Sequence, residues 1–311
     1  MTEHRPLPSR GSLLERAAQV YDFKAELGKR AAAAAETAPP PAPAPVPSGE
    51  APASAPAPHA IRRHDVMGRS GTVDRAELRR AGFVLPDEAA GQIAEEFRIA
   101  KRHLLLAASG GGSAAVGDRA RLILLASAQP DEGKTFCAVN LALSIAAEKD
   151  VQVLLIDGDF SKPEVLSMLG LEGGPGFLDA LADPLLDPAS CVIRTDIPNL
   201  LVMPAGRQSN EATELLASER TRDVLDRLLG ANPQRVILFD SAPALATSQA
   251  SVLALHAGQV LMIVRADQTS EPELKEALQL LSRAPSIQLL LNGVRFAPRG
   301  RRFGSYYGQG E

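Results

Sequence analysis

The residues with the most chemistry in them come first at Ala128-Gln129-Pro130-Asp131-Glu132-Gly133-Lys134-Thr135. A loop of this spacing, closed by Gly-Lys-Thr, can curl backbone N–H groups around a phosphate at a helix N-terminus. Lys134 would reach the β- and γ-phosphates, and the Thr135 hydroxyl would bind Mg²⁺. The run Ala128, Gln129, Pro130, Asp131, Glu132, Gly133, Lys134 and Thr135, with Phe136 after it, is therefore the expected ATP contact. Next come Asp157 and Asp159, two carboxylates at i and i+2. One could hold metal-bound water while the other accepts a proton; the spacing leaves open which does which. Asp240 ends an apolar run and is the expected carboxylate for the magnesium, with Thr135 and Asp159 as further metal ligands. Asn292 closes the last apolar run, where it either contacts a base edge or shapes a turn. Three acidic groups around one site require a cation, so the expected cofactors are ATP and Mg²⁺ together.

The elements that must position these groups are legible as short apolar runs. They fall at 121–126, 151–156, 199–203, 235–239, 259–264 and 287–291, each four to six residues rich in Val, Ile and Leu without polar alternation. Strands buried on both faces read this way. Helical stretches are predicted at 134–148, 163–169, 211–229, 247–255 and 272–283, with a longer one at 90–108 and a short one at 74–82. The alternation predicts an α/β fold with a P-loop NTPase-type parallel sheet covered by helices on both faces. Ligands of such sheets bind beyond the carboxyl ends of the strands, which is where Lys134, Asp157, Asp159 and Asp240 fall.

Composition bounds the rest. Of the 30 residues from 31 to 60, 22 are Ala or Pro. Such a stretch has almost nothing to bury, so 31–89 is assigned to a disordered Ala/Pro-rich linker. Residues 1–30 suit a short helix that could dock on a partner, with Ser12 and Glu15 placed for a capping box. They mix six Lys/Arg with four Asp/Glu and lack an apolar h-region, so a secretory signal is not expected. No apolar run approaches 18 residues. Two cysteines form no disulfide framework, and a net charge of -4 gives no whole-chain basic surface for nucleic acid. The folded domain is expected over 90–294. A flexible tail, 295–311, carries Arg295, Arg299, Arg301 and Arg302, then Tyr306 and Tyr307, two of only three tyrosines in the chain. It is either a plain soluble terminus or a substrate segment that delivers a tyrosine to the acidic, phosphate-filled site.

Taken together, A-x4-GKT, LLIDGD, ILFDSAP and the terminal tyrosines resemble the bacterial tyrosine kinases (BY-kinases) of polysaccharide export. More narrowly, they resemble the exosortase-associated autokinases, whose tails read like Phe303 to Gly308. The resemblance covers about 90–311 well and 12–23 loosely. It implies an ATP-dependent, non-specific protein-tyrosine autokinase with Lys134, Asp157 and Asp159 as catalytic residues. It implies phosphorylation of Tyr306 and Tyr307 by a neighbour in a ring of copies. The ring contact E-x2-R-x2-R maps onto Glu95, Arg98 and Lys101. The implied partner is a membrane-embedded chain-length-determinant co-polymerase, which would hold a cytoplasmic chain peripherally at the inner membrane. The chain departs from the family pattern at Ser161, where Arg is usual and Lys162 is the nearest substitute, at Lys101 for Arg, and at Ala242 for Pro. Two other readings compete. A partition- or septum-site-type ATPase would carry an additional Lys at the start of the P-loop, which 128–132 lacks. A nucleotide-switched scaffold without kinase turnover would keep the site and dispense with the tyrosines.

Overall fold

The computed structural model describes residues 69–87, 91–109 and 117–294. The expected helix at 12–30, most of the linker and the tyrosine tail lie outside these residues. The apolar runs form strands close to where they were expected: β2 (Leu122–Ser127), β3 (Gln152–Gly158), β5 (Leu200–Met203), β6 (Arg235–Ser241), β7 (Gln259–Arg265) and β8 (Ile287–Asn292). These six run parallel in the order β5-β3-β6-β2-β7-β8. Every residue of β2 and β6 is buried, as strands covered on both faces must be.

The helices are α1 (Arg75–Arg80), α2 (Gln92–Ala108), α3 (Lys134–Ala146), α4 (Val165–Leu169), α5 (Phe177–Ala182), α6 (Ala212–Ala217), α7 (Glu219–Gly230), α8 (Gln249–Ala254) and α9 (Glu271–Leu280). Side chains alternate across the sheet into two cores. Leu122, Leu124 and Ala126 of β2 join Phe177, Leu216, Leu225 and Leu253 beneath α5–α9. Ile123 and Leu125 join Leu78, Phe97, Leu104, Leu141 and Leu169 beneath α1–α4. Helix α3 is central to the second core: ten of its thirteen residues are buried.

Four expectations need correction. The sheet is not wholly parallel. Two three-residue strands, β1 (Arg69–Gly71) and β4 (Ile193–Thr195), extend it beyond β5, with β4 antiparallel to β5 and β1 parallel to β4. Runs so short carry no readable periodicity. Second, residues 69–87 are not linker. They supply β1 and α1, and Val73, Leu78, Phe83 and Leu85 are buried in the second core; the Ala/Pro bias that defines the linker ends near residue 60. Third, the helix expected at 211–229 is two helices. Ser218 adopts φ -72°, ψ 156°, ending α6 and starting α7. Fourth, β8 is an edge strand with one open side, and Leu289 and Leu291 are 58% and 59% exposed.

Candidate functional site

The chain leaves β2 at Ser127 and re-enters a helix at Lys134, so residues 128–133 form a loop at the carboxyl edge of the sheet. Gly133 sits at φ 87°, and a Cβ there would collide with the Asn292 amide, so this position demands glycine on two counts. Asp131 takes the same left-handed region at φ 61° without being glycine. No side chain caps α3, which leaves its first backbone N–H groups facing the loop. That cradle suits a phosphate group. Ala128 is fully buried where the usual pattern has Gly, and its carbonyl accepts Leu245 N–H at 3.2 Å.

Lys134 is buried, and its Nζ donates to Asp240 Oδ1 at 3.2 Å. Burial pushes the Asp240 carboxyl up, and the Lys134 charge pulls it back. The nearby Thr135 hydroxyl helps to hold the Asp240 carboxyl down. On the neighbouring strand, Asp157 stands directly opposite Asp240 in the β3–β6 register. It accepts Val165 N–H at 3.0 Å and Asp159 N–H at 3.4 Å. Burial, and secondly the adjacent Asp240, push Asp157 from 3.8 up to about 7. A carboxylate in that range exchanges a proton near neutral pH. Asp159 is only half-buried and accepts N–H groups of Ser161 and Lys162 at 3.2 and 3.0 Å. It thus makes the turn that simple Asp chemistry allows, while its carboxyl stays at the rim.

Other expected residues are placed differently. Asn292 Nδ2 donates to the Glu132 carbonyl at 2.9 Å, so its amide nitrogen braces the loop. Phe136 turns its ring away from the loop, 4.8 Å from Phe83 and 6.4 Å from Phe97 between centroids. Lys162 pairs with Glu164 at 2.7 Å and is not directed into the space that Ser161 leaves. Pro130 and Asp131 are exposed at the loop tip. Glu95 and Arg98 form a surface pair at 3.0 Å on α2. Lys101 does not join them. It points inward, bonding the Ser144 carbonyl at 3.0 Å and Glu148 at 2.6 Å, and so ties α2 to α3. Its charge is met within the chain.

Sequence reasoning missed the residues that hold the loop from the side. Glu132 Oε2 accepts Gln129 N–H at 3.0 Å, Glu132 Oε1 accepts the Thr269 hydroxyl, and Gln129 Nε2 donates to Glu273 at 3.0 Å. Thr269 and Glu273 lie more than 130 residues from the loop residues they hold, beyond any local signal.

The oxygen donors near Lys134 are the hydroxyl of Thr135 and the carboxylates of Asp157, Asp159 and Asp240, all hard ligands suited to magnesium. Among the described residues no three acidic or sulfur/imidazole groups converge on one point. Among the described residues no helix is long and apolar enough to cross a membrane.

No protein-family model matches the chain. It is 32% identical over 189 residues, 61% of its length, to the tyrosine-protein kinase wzc of Salmonella typhimurium, of which it spans 25%. It is 28% identical over 200 residues to the tyrosine-protein kinase YwqD of Bacillus subtilis, covering 63% of this chain and 81% of that one. Its fold is similar to that of the chimerical protein CapA2B2, with TM-score 0.57 and 22% identity over 72% of this chain and 93% of the other. The chain thus spans about a quarter of the length of the first curated relatives it matches.

Proposed function

We propose that this chain, whose nucleotide domain is homologous to the bacterial tyrosine kinases, is an ATP-dependent protein-tyrosine autokinase acting on Tyr306 and Tyr307. The observation that carries the reading is the juxtaposition of the Lys134–Asp240 pair with Asp157 at the end of the same sheet. Lys134 lies where it can stabilise charge on a transferring phosphoryl group once the triphosphate displaces it from Asp240. Asp157, held near neutrality by burial and Asp240, is the group suited to take the phenol proton as the tyrosine oxygen attacks. Asp159 at the rim is left for water around the metal. Mg²⁺ would be held by Thr135, Asp240 and Asp159, and when bound it neutralises the developing phosphate charge.

The same homology supports a role in exopolysaccharide polymerisation and export beside a membrane-embedded co-polymerase. It also supports a ring of copies in which one subunit presents its tail to the next. Helix α2 leaves Ile93, Ile99 and Leu106 exposed beside the Glu95–Arg98 pair, a surface suited to a second copy without help from Lys101.

The test is incubation of the full chain with Mg-ATP, followed by mass spectrometry of the C-terminal peptide. Phosphate on Tyr306 or Tyr307, lost in the Lys134→Met variant, is the expected result. Steady ATP hydrolysis with unmodified tyrosines would show a partition-type ATPase instead. Nucleotide binding with neither reaction, even with the co-polymerase's cytoplasmic segment added, would show a scaffold.

A further inference from the structure

We propose that Thr269, in the turn between β7 and α9, is a positioning residue for the phosphate loop, acting through Glu132. The inference rests on the reading of residues 128–135 as a triphosphate cradle. Glu132 is a hazard in such a cradle. The residue is 3% exposed, and it lies next to the Gly133 backbone that a phosphate would approach. An anion there opposes an anionic ligand unless it is turned away and satisfied.

The structure shows how it is turned. Glu132 Oε2 accepts Gln129 N–H at 3.0 Å, within the loop itself. Glu132 Oε1 accepts the Thr269 hydroxyl. That hydroxyl in turn accepts Arg265 N–H at 2.8 Å. A hydroxyl has one proton and two lone pairs. With a lone pair on Arg265 N–H, the single proton of Thr269 is committed to Glu132. The Glu132 backbone is gripped as well, through Asn292 Nδ2 at 2.9 Å. A second strap runs alongside: Gln129 Nε2 reaches Glu273 Oε1 at 3.0 Å, and Glu273 Oε2 is fixed by the Ser270 N–H at 3.0 Å. The loop is thereby tied to β8 and to the β7–α9 turn by groups outside the Lys134, Asp157 and Asp240 constellation.

Without the Thr269 proton, Glu132 keeps only its bond inside the loop. The loop includes Asp131 in a left-handed conformation that non-glycine residues hold only under constraint. It would relax, and the freed carboxylate could rotate toward the phosphate side. The consequence falls on nucleotide affinity before it falls on chemistry.

The experiment measures the Kd of Mg-ATP by calorimetry on the full chain, with melting of the nucleotide-free protein alongside. The variants are Thr269→Val, Thr269→Ser, Glu132→Gln and the Thr269→Val/Glu132→Gln pair. Thr269→Val keeps the shape and removes the proton; loss of a hydrogen bond to a charged group is expected to weaken binding about tenfold or more. Thr269→Ser restores the donor and should bind within about twofold of the native chain, which general softening of the core would not reproduce. The pair should lose no more than the worse single variant, because both act on one contact. Native affinity in Thr269→Val, or losses that multiply in the pair, would overturn the proposal. If Thr269→Val does not fold, Thr269→Ala takes its place: native affinity in that variant would remove Thr269 from the role. A native chain that binds Mg-ATP and transfers no phosphate would remove the kinase reading and leave this one standing.

Discussion

Asp157 and Asp240 show what the site demands of individual residues. Both are buried acids, on adjacent strands and in register. Asp157 titrates near 7 in the folded chain against 3.8 ordinarily. A group whose folded state favours the proton loses stability as pH climbs from about 4 to about 7, and the loss is constant above that. Asp157→Asn escapes this loss but keeps only one of the two backbone bonds, at 3.0 and 3.4 Å. Urea unfolding should therefore find Asp157→Asn more stable than the native chain by about 2 kcal/mol at pH 8 and slightly less stable at pH 4. Equal deficits at both pH values would show that Asp157 is ionised in the fold. Lys134 matters through the charge it sets beside Asp240. Its removal leaves Asp240 buried without a counter-charge, so Lys134→Met should lose about 3 kcal/mol at pH 7. Lys134→Met/Asp240→Asn should recover most of that in the same measurement; if it recovers none, the pair is not the source of the loss. The sequence motif pointed to all three residues, because their chemistry depends on local spacing after a strand. It left Asn292 between two uses, and only the structure shows its amide nitrogen on the Glu132 carbonyl. Thr269 was not legible at all, since 137 residues separate it from the carboxylate it holds.

Among elements, the strands and central helices were readable because burial on both sides writes unbroken apolar runs. Three short elements were not. β1, β4 and α5 are too short to set a period, and β1 pairs with β4 across more than 120 residues, Arg69 opposite Ile193. The consequence is sharpest at α1. Phe83 packs on Phe136, immediately after the phosphate loop, and Val84 N–H bonds Asn140 Oδ1 at 2.9 Å on α3. The helix carrying Lys134 is thus backed by a segment that composition alone would discard. A chain beginning at residue 90 loses Val73, Leu78, Phe83 and Leu85 from the second core. At about 2 kcal/mol for each buried side chain, that is several kcal/mol and comparable to the whole stability of a domain. Melting curves should show a cooperative transition for a chain beginning at residue 67. The chain beginning at 90 should melt at least 10 °C lower or fail to fold. Equal melting points would mean that β1 and α1 merely rest on the core.

At the scale of the whole molecule, six parallel strands bring every catalytic candidate to one edge, as strand–helix alternation foretold. The end of β8 belongs to that edge too: Ala266 N–H bonds the Asn292 carbonyl at 2.8 Å, and the Asn292 amide bonds the phosphate loop. The tyrosines follow from that anchored point, Tyr306 lying 14 positions beyond Asn292. A chain of that length spans at most about 50 Å, and averages about 20 Å if it behaves as a random coil. By length alone, 14 positions make a leash between Asn292 and Tyr306 that sets a local concentration of order millimolar at that edge. A tail from a freely diffusing molecule at micromolar concentration would be outnumbered about a thousandfold there. Exchange of phosphate between molecules therefore needs them held together. Lys134→Met protein mixed with Tyr306→Phe/Tyr307→Phe protein should gain phosphotyrosine only at concentrations where light scattering shows assembly. Transfer that persists undiminished among dispersed monomers would mean that the leash does not govern which tyrosine arrives. Otherwise, on the autokinase reading proposed above, crowding is the throttle: phosphate on the tail would report how many copies are gathered in one place.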